Sequence, residues 1–327
     1  MFIEQHAKLS VAPMMDWTDR HCRFFHRLMS KNALLYTEMV TALAVINGDR
    51  ERLLGFDASE HPVALQLGGS DPAELAQAAR IAEDYGYNEI NLNCGCPSDR
   101  VQSGTFGAVL MRSPDVVARC CAAIIAAVNV PVTVKCRIGV DEQEPAEVLP
   151  EFLAKVSAAG VQRFTIHARK AWLQGLSPKE NRDIPPLDYD LVREIKAMFP
   201  SLHLSLNGGL ETLDQAEDLL EALDGVMIGR SAYHNPAGIL LDADRRIFGE
   251  GNARSAEEVV GLMLPYMDRH IAAGGRLNHI TRHMLGLFTG RPGARLWRRH
   301  LSENATKDGA GPEVVERALA FVTELAA

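Results

Sequence analysis

Between residues 9 and 230, eight short apolar runs alternate with amphipathic stretches, and this alternation limits the fold more than any other feature. The runs are LSVAP (9–13), LLYTEM (34–39), PVALQLGG (62–69), EINLNCGCP (89–97), VPVTVKCRIG (130–139), RFTIHAR (163–169), HLSLNGGL (203–210) and GVMIGR (225–230). Near-continuous apolar character is what a parallel strand buried on both faces requires. The stretches between them carry helix signals. One helix is predicted over 72–86, opened by Asp71 and Pro72 and stopped by Gly86. The segment 113–129 repeats that design with Ser113 before Pro114. The segment 145–160 ends on Gly160 and is interrupted by Pro150, 187–200 stops at Pro200, and 212–225 completes the series. Strand–helix units repeated eight times predict an α/β fold, a (β/α)8 TIM barrel. A doubly wound open sheet is the alternative. The count of eight and the lack of a GxGxxG turn favour the barrel.

The barrel takes residues 1–245, and 250–327 has no strand pattern. Its segments AEEVVGLMLPYMDRHIAAGG, HITRHMLGLFTG, LWRRHLSENAT and PEVVERALAFVTELAA predict a small all-helical domain, joined through IFGEGNARS (247–255). With 47% hydrophobic and 23% charged residues, a disordered chain or a fibrous rod is excluded. No apolar run reaches the roughly 20 residues that span a bilayer. The N-terminus lacks a signal-peptide pattern, so a cytoplasmic location with no membrane contact is expected. The net charge of -8 argues against a uniformly basic nucleic-acid binder. Yet residues 269–302 hold seven arginines and four histidines with no Asp or Glu, which suits either a solvated helical face or a phosphate-binding surface.

In such a barrel the active site forms at the C-terminal ends of the strands. The polar residues gather there: Pro13-Met14-Met15-Asp16, Glu38, Gln66 with Gly68-Gly69, Asn91 to Pro97, Lys135 and Arg137, His167 and Arg169, Asn207-Gly208-Gly209, and Gly229-Arg230. Each alone has a bland reading. Lys135 can be a salt-bridged side chain, His167 a satisfied core histidine and NGG a simple turn. Together they describe one polar rim. The glycine-rich ends of the seventh and eighth runs stand where barrel enzymes bind phosphate, with Arg230 as a charged donor. Lys135 and His167 then face the ligand's other end. FMN fits, because a cation beside the ring carbonyls stabilises a reduced flavin. A sugar phosphate with Lys135 as a Schiff-base lysine also fits. The six cysteines form no CxxC pair or zinc-like spacing. Cys94 and Cys96 stand apart from the other four, which fill core or helix positions. Cys96 lies past a strand end and before the loop 98–113, placed to act as nucleophile or proton donor over the mouth.

These residues resemble the tRNA-dihydrouridine synthases, the A subfamily most closely. The matching segments are APMMDWTDRHCR (12–23), LQLGG (65–69), EINLNCGCPSDRVQSGTFGAVLM (89–111), VKCRIGVD (134–141), HARKAWLQGLSPKENRDIPPLDY (167–189), LNGG (206–209), MIGRSAYHNP (227–236) and PGARLWRRHLSENA (292–305). The resemblance implies a flavoprotein oxidoreductase that reduces uridine to 5,6-dihydrouridine at positions 20 and 20a of the tRNA D loop, with NADPH or NADH as reductant. It implies FMN contacts from Pro13, Met14, Met15, Gln66, Lys135, His167, Asn207, Gly208, Gly209, Gly229 and Arg230. Hydride would pass from flavin N5 to uracil C6, and Cys96 would protonate C5. Asn93 would sit by the flipped base, and Lys179, Arg182, Arg295 and Arg298 would contact tRNA. No metal and a monomeric enzyme are expected. A small-molecule FMN reductase or dehydrogenase, of the dihydropyrimidine or dihydroorotate type, is the alternative. It would use the same rim without the arginine-rich surface.

Overall fold

The computed structural model describes residues 2–98, 106–251 and 253–324. Residues 99–105 of the loop expected over the mouth, Asn252 of the expected linker and the last three residues lie outside the described residues. Eight parallel strands close into a barrel in sequence order: β1 (Leu9–Val11), β2 (Leu34–Thr41), β3 (Val63–Gly68), β4 (Glu89–Cys94), β5 (Val132–Arg137), β6 (Arg163–His167), β7 (His203–Asn207) and β8 (Gly225–Ile228). β1 pairs with β8, so the ring has no edge. Each predicted run contains its strand except LLYTEM (34–39), which β2 outruns by two residues.

Strand alternation sorts the side chains. Leu65, Leu67, Ile90, Leu92, Val134, Phe164, Ile166, Leu204 and Leu206 belong to the main core, where sheet and helices meet. Their alternates point into the barrel, and most are polar: Gln66, Asn91, Asn93, Thr133, Lys135, Thr165, His167, Ser205 and Asn207. A small separate cluster of Ile3, Ala7, Ala12, Leu34, Tyr36, Ala64 and Met227 fills the rest of the interior. The barrel is therefore apolar outside and polar inside, and only the inward set is available for chemistry.

The helices follow their predicted signals with two exceptions, of which the first is Ser113, whose side chain makes no capping hydrogen bond at Pro114–Ile125. Pro72–Asp84 is capped by Asp71, whose carboxylate accepts from the Ala73 and Glu74 amides, and Gly86 leaves it at φ 92°. Thr212 and Gln215 form a reciprocal capping box at Leu213–Leu220. Pro150 does not interrupt its helix, which runs from Pro145 to Ala158. The proline costs one backbone hydrogen bond, but Leu149, Phe152, Leu153 and Val156 anchor the helix at i, i+3, i+4 and i+7 spacing.

Beyond Ile247 the described structure is helical. Ala256–Ala272, Leu277–Thr281, Ala294–Asn304 and Glu313–Thr323 pack on one another around Trp297, whose indole N–H donates to the Met284 carbonyl at 3.0 Å. The first two also pack on the helix Arg20–Met29, which follows β1. No described helix is long and apolar enough to cross a membrane.

Candidate active site

Strand register assembles the rim. It sets Asn93 beside Lys135, Arg137 beside His167, and His167 beside Asn207. All eleven residues expected to hold the flavin lie at the C-terminal ends of β1, β3, β5, β6, β7 and β8 or in the turns just beyond.

Below the mouth runs a chain of buried hydrogen bonds. Asn93 Nδ2 donates to Gln66 Oε1 at 2.7 Å, Gln66 Nε2 to Asn91 Oδ1 at 2.8 Å, and Asn91 Nδ2 to Thr133 Oγ1 at 2.8 Å. The Thr133 hydroxyl and, at 2.7 Å, the Tyr36 hydroxyl donate to Glu89, which is ion-paired with Arg163. The chain fixes the Gln66 amide and leaves one of its N–H groups for a ligand.

Cys96 sits on a turn that Asn93 builds. Asn93 Oδ1 accepts from the amides of Gly95 (3.0 Å) and Cys96 (2.9 Å), an Asx turn. Asn93 is thus buried, and its amide oxygen is committed to presenting the thiol. The Ala108 amide donates to the Cys96 carbonyl at 2.9 Å and pins the turn from the other side. Cys96 is the only cysteine not fully buried. Its companion Cys94 is core: burial holds that thiol well above its ordinary range. The two cysteines therefore differ in kind: Cys94 ends the strand in the core, and Cys96 lies on the turn beyond it.

Arg137 was seen as a rim residue in the sequence, but its role was not. Its guanidinium is buried and donates to three carbonyls, of Gly95 (3.1 Å), Lys170 (3.0 Å) and Asn181 (2.8 Å). It joins the Cys96 turn to the loop after β6. Burial, then the like charges of Arg182 and Arg169, lower its pKa to about 10 despite the opposing effect of Cys96. Asn181, also unforeseen, ties that loop internally by accepting from the Trp172 amide and donating to the Trp172 and Leu176 carbonyls. Lys179, Arg182 and Ile184 are exposed on the same loop.

The Lys135 ammonium makes no hydrogen bond or ion pair among the described residues. Burial, then the neighbouring Arg137 charge, bring its ammonium down to about 8. His167 is held well below its ordinary value by burial and by Arg137, Lys135, Arg169 and Arg182, so it is a neutral imidazole. A buried ammonium without a carboxylate is costly unless a ligand completes it.

The turns after β7 and β8 form the other half. The Gly208, Gly209 and Gly229 amides donate to no acceptor among the described residues. Gly208 and Gly209 adopt φ of 114° and 72°. A Cβ on Gly208 would meet the His167 ring at 2.6 Å, and one on Gly209 would meet Leu187 at 2.5 Å. Free amides in a turn of left-handed glycines make an anion cradle. Three arginines surround it. Arg230 pairs with Asp183 at 2.7 Å, Arg182 is exposed, and Arg169 has a buried Nε without a partner. Gly208→Ala is expected to cost about 1–3 kcal/mol of stability from the strained φ and the His167 collision, read as an earlier urea midpoint.

Residues at a distance from the mouth divide by their surroundings. Arg295 and Arg298 are exposed on the helix Ala294–Asn304 and have no acidic partner among the described residues. The 269–302 window is less bare in space than in sequence. Arg276, Arg282, Arg291 and Arg299 pair with Asp308, Asp19, Glu257 and Glu303, all from outside the window. Folding thus reduces the free basic set in the window to Arg269, Arg295 and Arg298. No described group of His, Cys, Asp and Glu is arranged to hold a metal ion.

A family model described as dihydrouridine synthase matches residues 10–323. A relative from Vibrio cholerae, named tRNA-dihydrouridine(20/20a) synthase, is 59% identical over 317 residues and 96% of each chain. The protein of the same name from Shewanella oneidensis is 59% identical over 320 residues, 97% of this chain and 95% of its own. Its namesake from Escherichia coli K12 is 58% identical over 319 residues, 97% of this chain and 92% of its own. The thiol on a built turn, the polar barrel and this full-length similarity agree, and the chain belongs to the dihydrouridine synthase family.

Proposed function

We propose that this protein reduces uridine to 5,6-dihydrouridine at positions 20 and 20a of tRNA, with FMN as bound cofactor and NADPH or NADH as reductant. The observation that carries the reading is one barrel mouth that joins an accessible thiol, an uncompensated buried lysine and a glycine cradle of free amides. The positions come from the names of the relatives. In this reading residues 1–245 form the catalytic barrel and 250–327 the tRNA-binding domain of a cytoplasmic monomer.

The residues suit FMN on chemical grounds. Gly208, Gly209 and Gly229 offer amides to a phosphate, with Arg230 beside them. Pro13, Met14 and Met15 offer soft apolar surface at the β1 end, next to Gly229. Lys135 and neutral His167 offer a charge and a hydrogen bond to the polar edge of a flavin ring, while Gln66 and Asn207 are held by neighbours to meet it. When bound, FMN supplies the hydride for uracil C6, after taking one from the nicotinamide.

The chain's own residues do the rest. Hydride addition at C6 leaves negative charge on C5 and the C4 carbonyl. The Cys96 thiol gives its proton to C5, which completes the saturated bond. Asn93 and Arg137 hold that thiol's turn in place. A uridine inside folded tRNA reaches a barrel mouth only when flipped out of its stack. Lys179 and Arg182 at the mouth, and Arg295 and Arg298 on the tail, then contact the surrounding phosphates. The small-molecule flavin reductase uses the same rim but gives no purpose to exposed, unpaired Arg295 and Arg298.

The deciding experiment incubates the purified protein, FMN and NADPH with tRNA from a strain lacking dihydrouridine synthases. Nucleoside mass spectrometry should find new dihydrouridine, and fragment mapping should place it. Absence of product from a yellow protein that oxidises NADPH would sink the tRNA reading. Arg295→Glu with Arg298→Glu is expected to weaken tRNA binding at least tenfold. It should flatten the log–log salt dependence by one to two units and leave NADPH oxidation unchanged. Filter binding at several salt concentrations checks this.

A further inference from the structure

We propose that Asp19 is a positioning residue whose carboxylate locks the helical tail onto the β1–β8 side of the mouth and so sets where a bound tRNA presents its base. The proposal rests on the tRNA reading above. Asp19 caps the helix Arg20–Met29. Its Oδ1 accepts from the His21 and Cys22 amides at 2.9 and 3.0 Å. The same carboxylate also reaches 263 residues along the chain. Arg282 Nη2 donates to Oδ2 at 2.6 Å, and His283 Nε2 stands 3.0 Å from Oδ1.

His283 is fully buried and bridges to a second barrel loop. Its Nδ1 lies 3.1 Å from the Tyr233 hydroxyl. Its Nε2 also faces Arg282, whose Nε–H points to it at 3.1 Å. Tyr233 in turn stacks on Trp17, with ring centroids 4.5 Å apart and planes at 13°. Burial works against the Asp19 charge. The contact with His283, the Cys22 amide and Arg282 outweigh it and keep the group ionised.

The tail backbone also closes on this spot. A Cβ on Gly286 would lie 2.3 Å from the His234 carbonyl oxygen, and Thr289 Oγ1 donates to that oxygen at 3.0 Å. Residues 282–289 are therefore seated on Tyr233 and His234, which follow Arg230 directly. Asp19 closely follows Met14 and Met15 in the adjoining loop. β1 and β8 are paired neighbours, so the clamp grips both loops that carry the flavin-facing residues on this side. Among the described residues, the ion pairs between the tail and the β1 loop are all made by Asp19. A shift of the tail would move the unpaired Arg295 and Arg298 relative to Cys96. Geometric misplacement of about 1 Å is enough to cost rate without costing binding.

Asp19→Asn keeps the helix-cap acceptor, since Asn caps as well as Asp, and removes the charge that Arg282 and His283 face. Three quantities are measured: NADPH-driven flavin reduction, tRNA Kd, and single-turnover dihydrouridine formation at saturating tRNA. The expected result is unchanged flavin reduction, a Kd within about threefold of wild type, and at least about a tenfold slower single turnover. Arg282→Ala attacks the clamp from the other side without touching the cap, and should give the same split. Arg282→Lys should recover part of the rate. Wild-type single turnover in both Asp19→Asn and Arg282→Ala would overturn the proposal. So would parallel loss of all three quantities together with a lowered melting temperature, which marks a merely structural residue. A wild-type enzyme that makes no dihydrouridine on tRNA would overturn the functional reading itself.

Discussion

Cys96→Ala should yield a protein that binds flavin and oxidises NADPH normally yet forms dihydrouridine about 10²–10⁴-fold more slowly, the range a positioned general acid contributes. The size of the effect follows from the chemistry. Hydride addition to C6 places charge on a carbon that water protonates poorly inside a closed mouth. Removing the thiol leaves that charge without a donor, and the C6 step becomes reversible. The effect should be selective because Cys96 touches none of the groups expected to hold the flavin. Its Sγ has one hydrogen-bond contact among the described residues, Ser98 Oγ at 3.5 Å. Cys96→Ser should not recover the rate, since a hydroxyl is a far weaker acid than a thiol. Stopped-flow traces separate the steps. Flavin bleaching by NADPH should match wild type, and recolouring on adding tRNA should be slow. Wild-type recolouring in the alanine variant would remove Cys96 from the proton-donor role.

How much of this was legible in the sequence depended on which side of a strand a residue faced. The outward residues of all eight strands read as apolar runs, so the barrel was visible at once. Lys135 and His167 stood out because each interrupts such a run at an inward position. Arg137 is two residues from Lys135, shares its face, and was marked with it. Its partners could not be read, because they are backbone carbonyls of Gly95, Lys170 and Asn181. Asn93 was read as a neighbour of the base, and the structure gives its amide oxygen to the Cys96 turn.

The helix Arg20–Met29 went unread for a related reason. Its buried face includes Arg23, His26 and Arg27 among Cys22, Phe24, Phe25 and Met29, so its apolar residues are masked in sequence by charged ones. Arg23 is ion-paired with Glu60 at 2.7 Å, and Arg27 donates to the carbonyls of Glu60, Ser30 and Pro62. Buried arginine with distant partners looks in sequence like a surface segment. The tail misled in the opposite direction. Its acid-free window suggested a broad basic face, and four of its seven arginines found acids elsewhere in the chain. Charge pairing over long sequence distance is a property of the fold, and Asp19 with Arg282 is an instance of it.

Lys135→Met should move two properties in opposite directions, which makes it the most diagnostic substitution after Cys96→Ala. Methionine is close in length and removes only the charge and its hydrogen bonds. In the cofactor-free protein that charge is unfavourable: burial and Arg137 bring the ammonium from an ordinary 10.5 to about 8. One pKa unit corresponds to about 1.4 kcal/mol, so burying the charged form costs on the order of 3 kcal/mol near neutral pH. The apo variant should therefore melt several degrees higher than the apo wild type. The sign of the pH dependence follows. A lysine whose folded pKa lies below its unfolded value binds fewer protons when folded. Wild-type apo stability should accordingly gain a contribution as pH rises from about 8 to 10.5, and the methionine variant should lack it. Flavin binding should show the reverse. A charge-assisted hydrogen bond is worth about 1.5–3 kcal/mol, so FMN should bind the variant about 10–100-fold more weakly. Wild-type affinity should also fall as pH rises through 8 while Lys135 loses its proton. Fluorescence titration with FMN and thermal melts of the apo forms at pH 7 and pH 9.5 read both properties. A variant that melts earlier and binds flavin as wild type does would place Lys135 in the core as a structural residue, away from the cofactor.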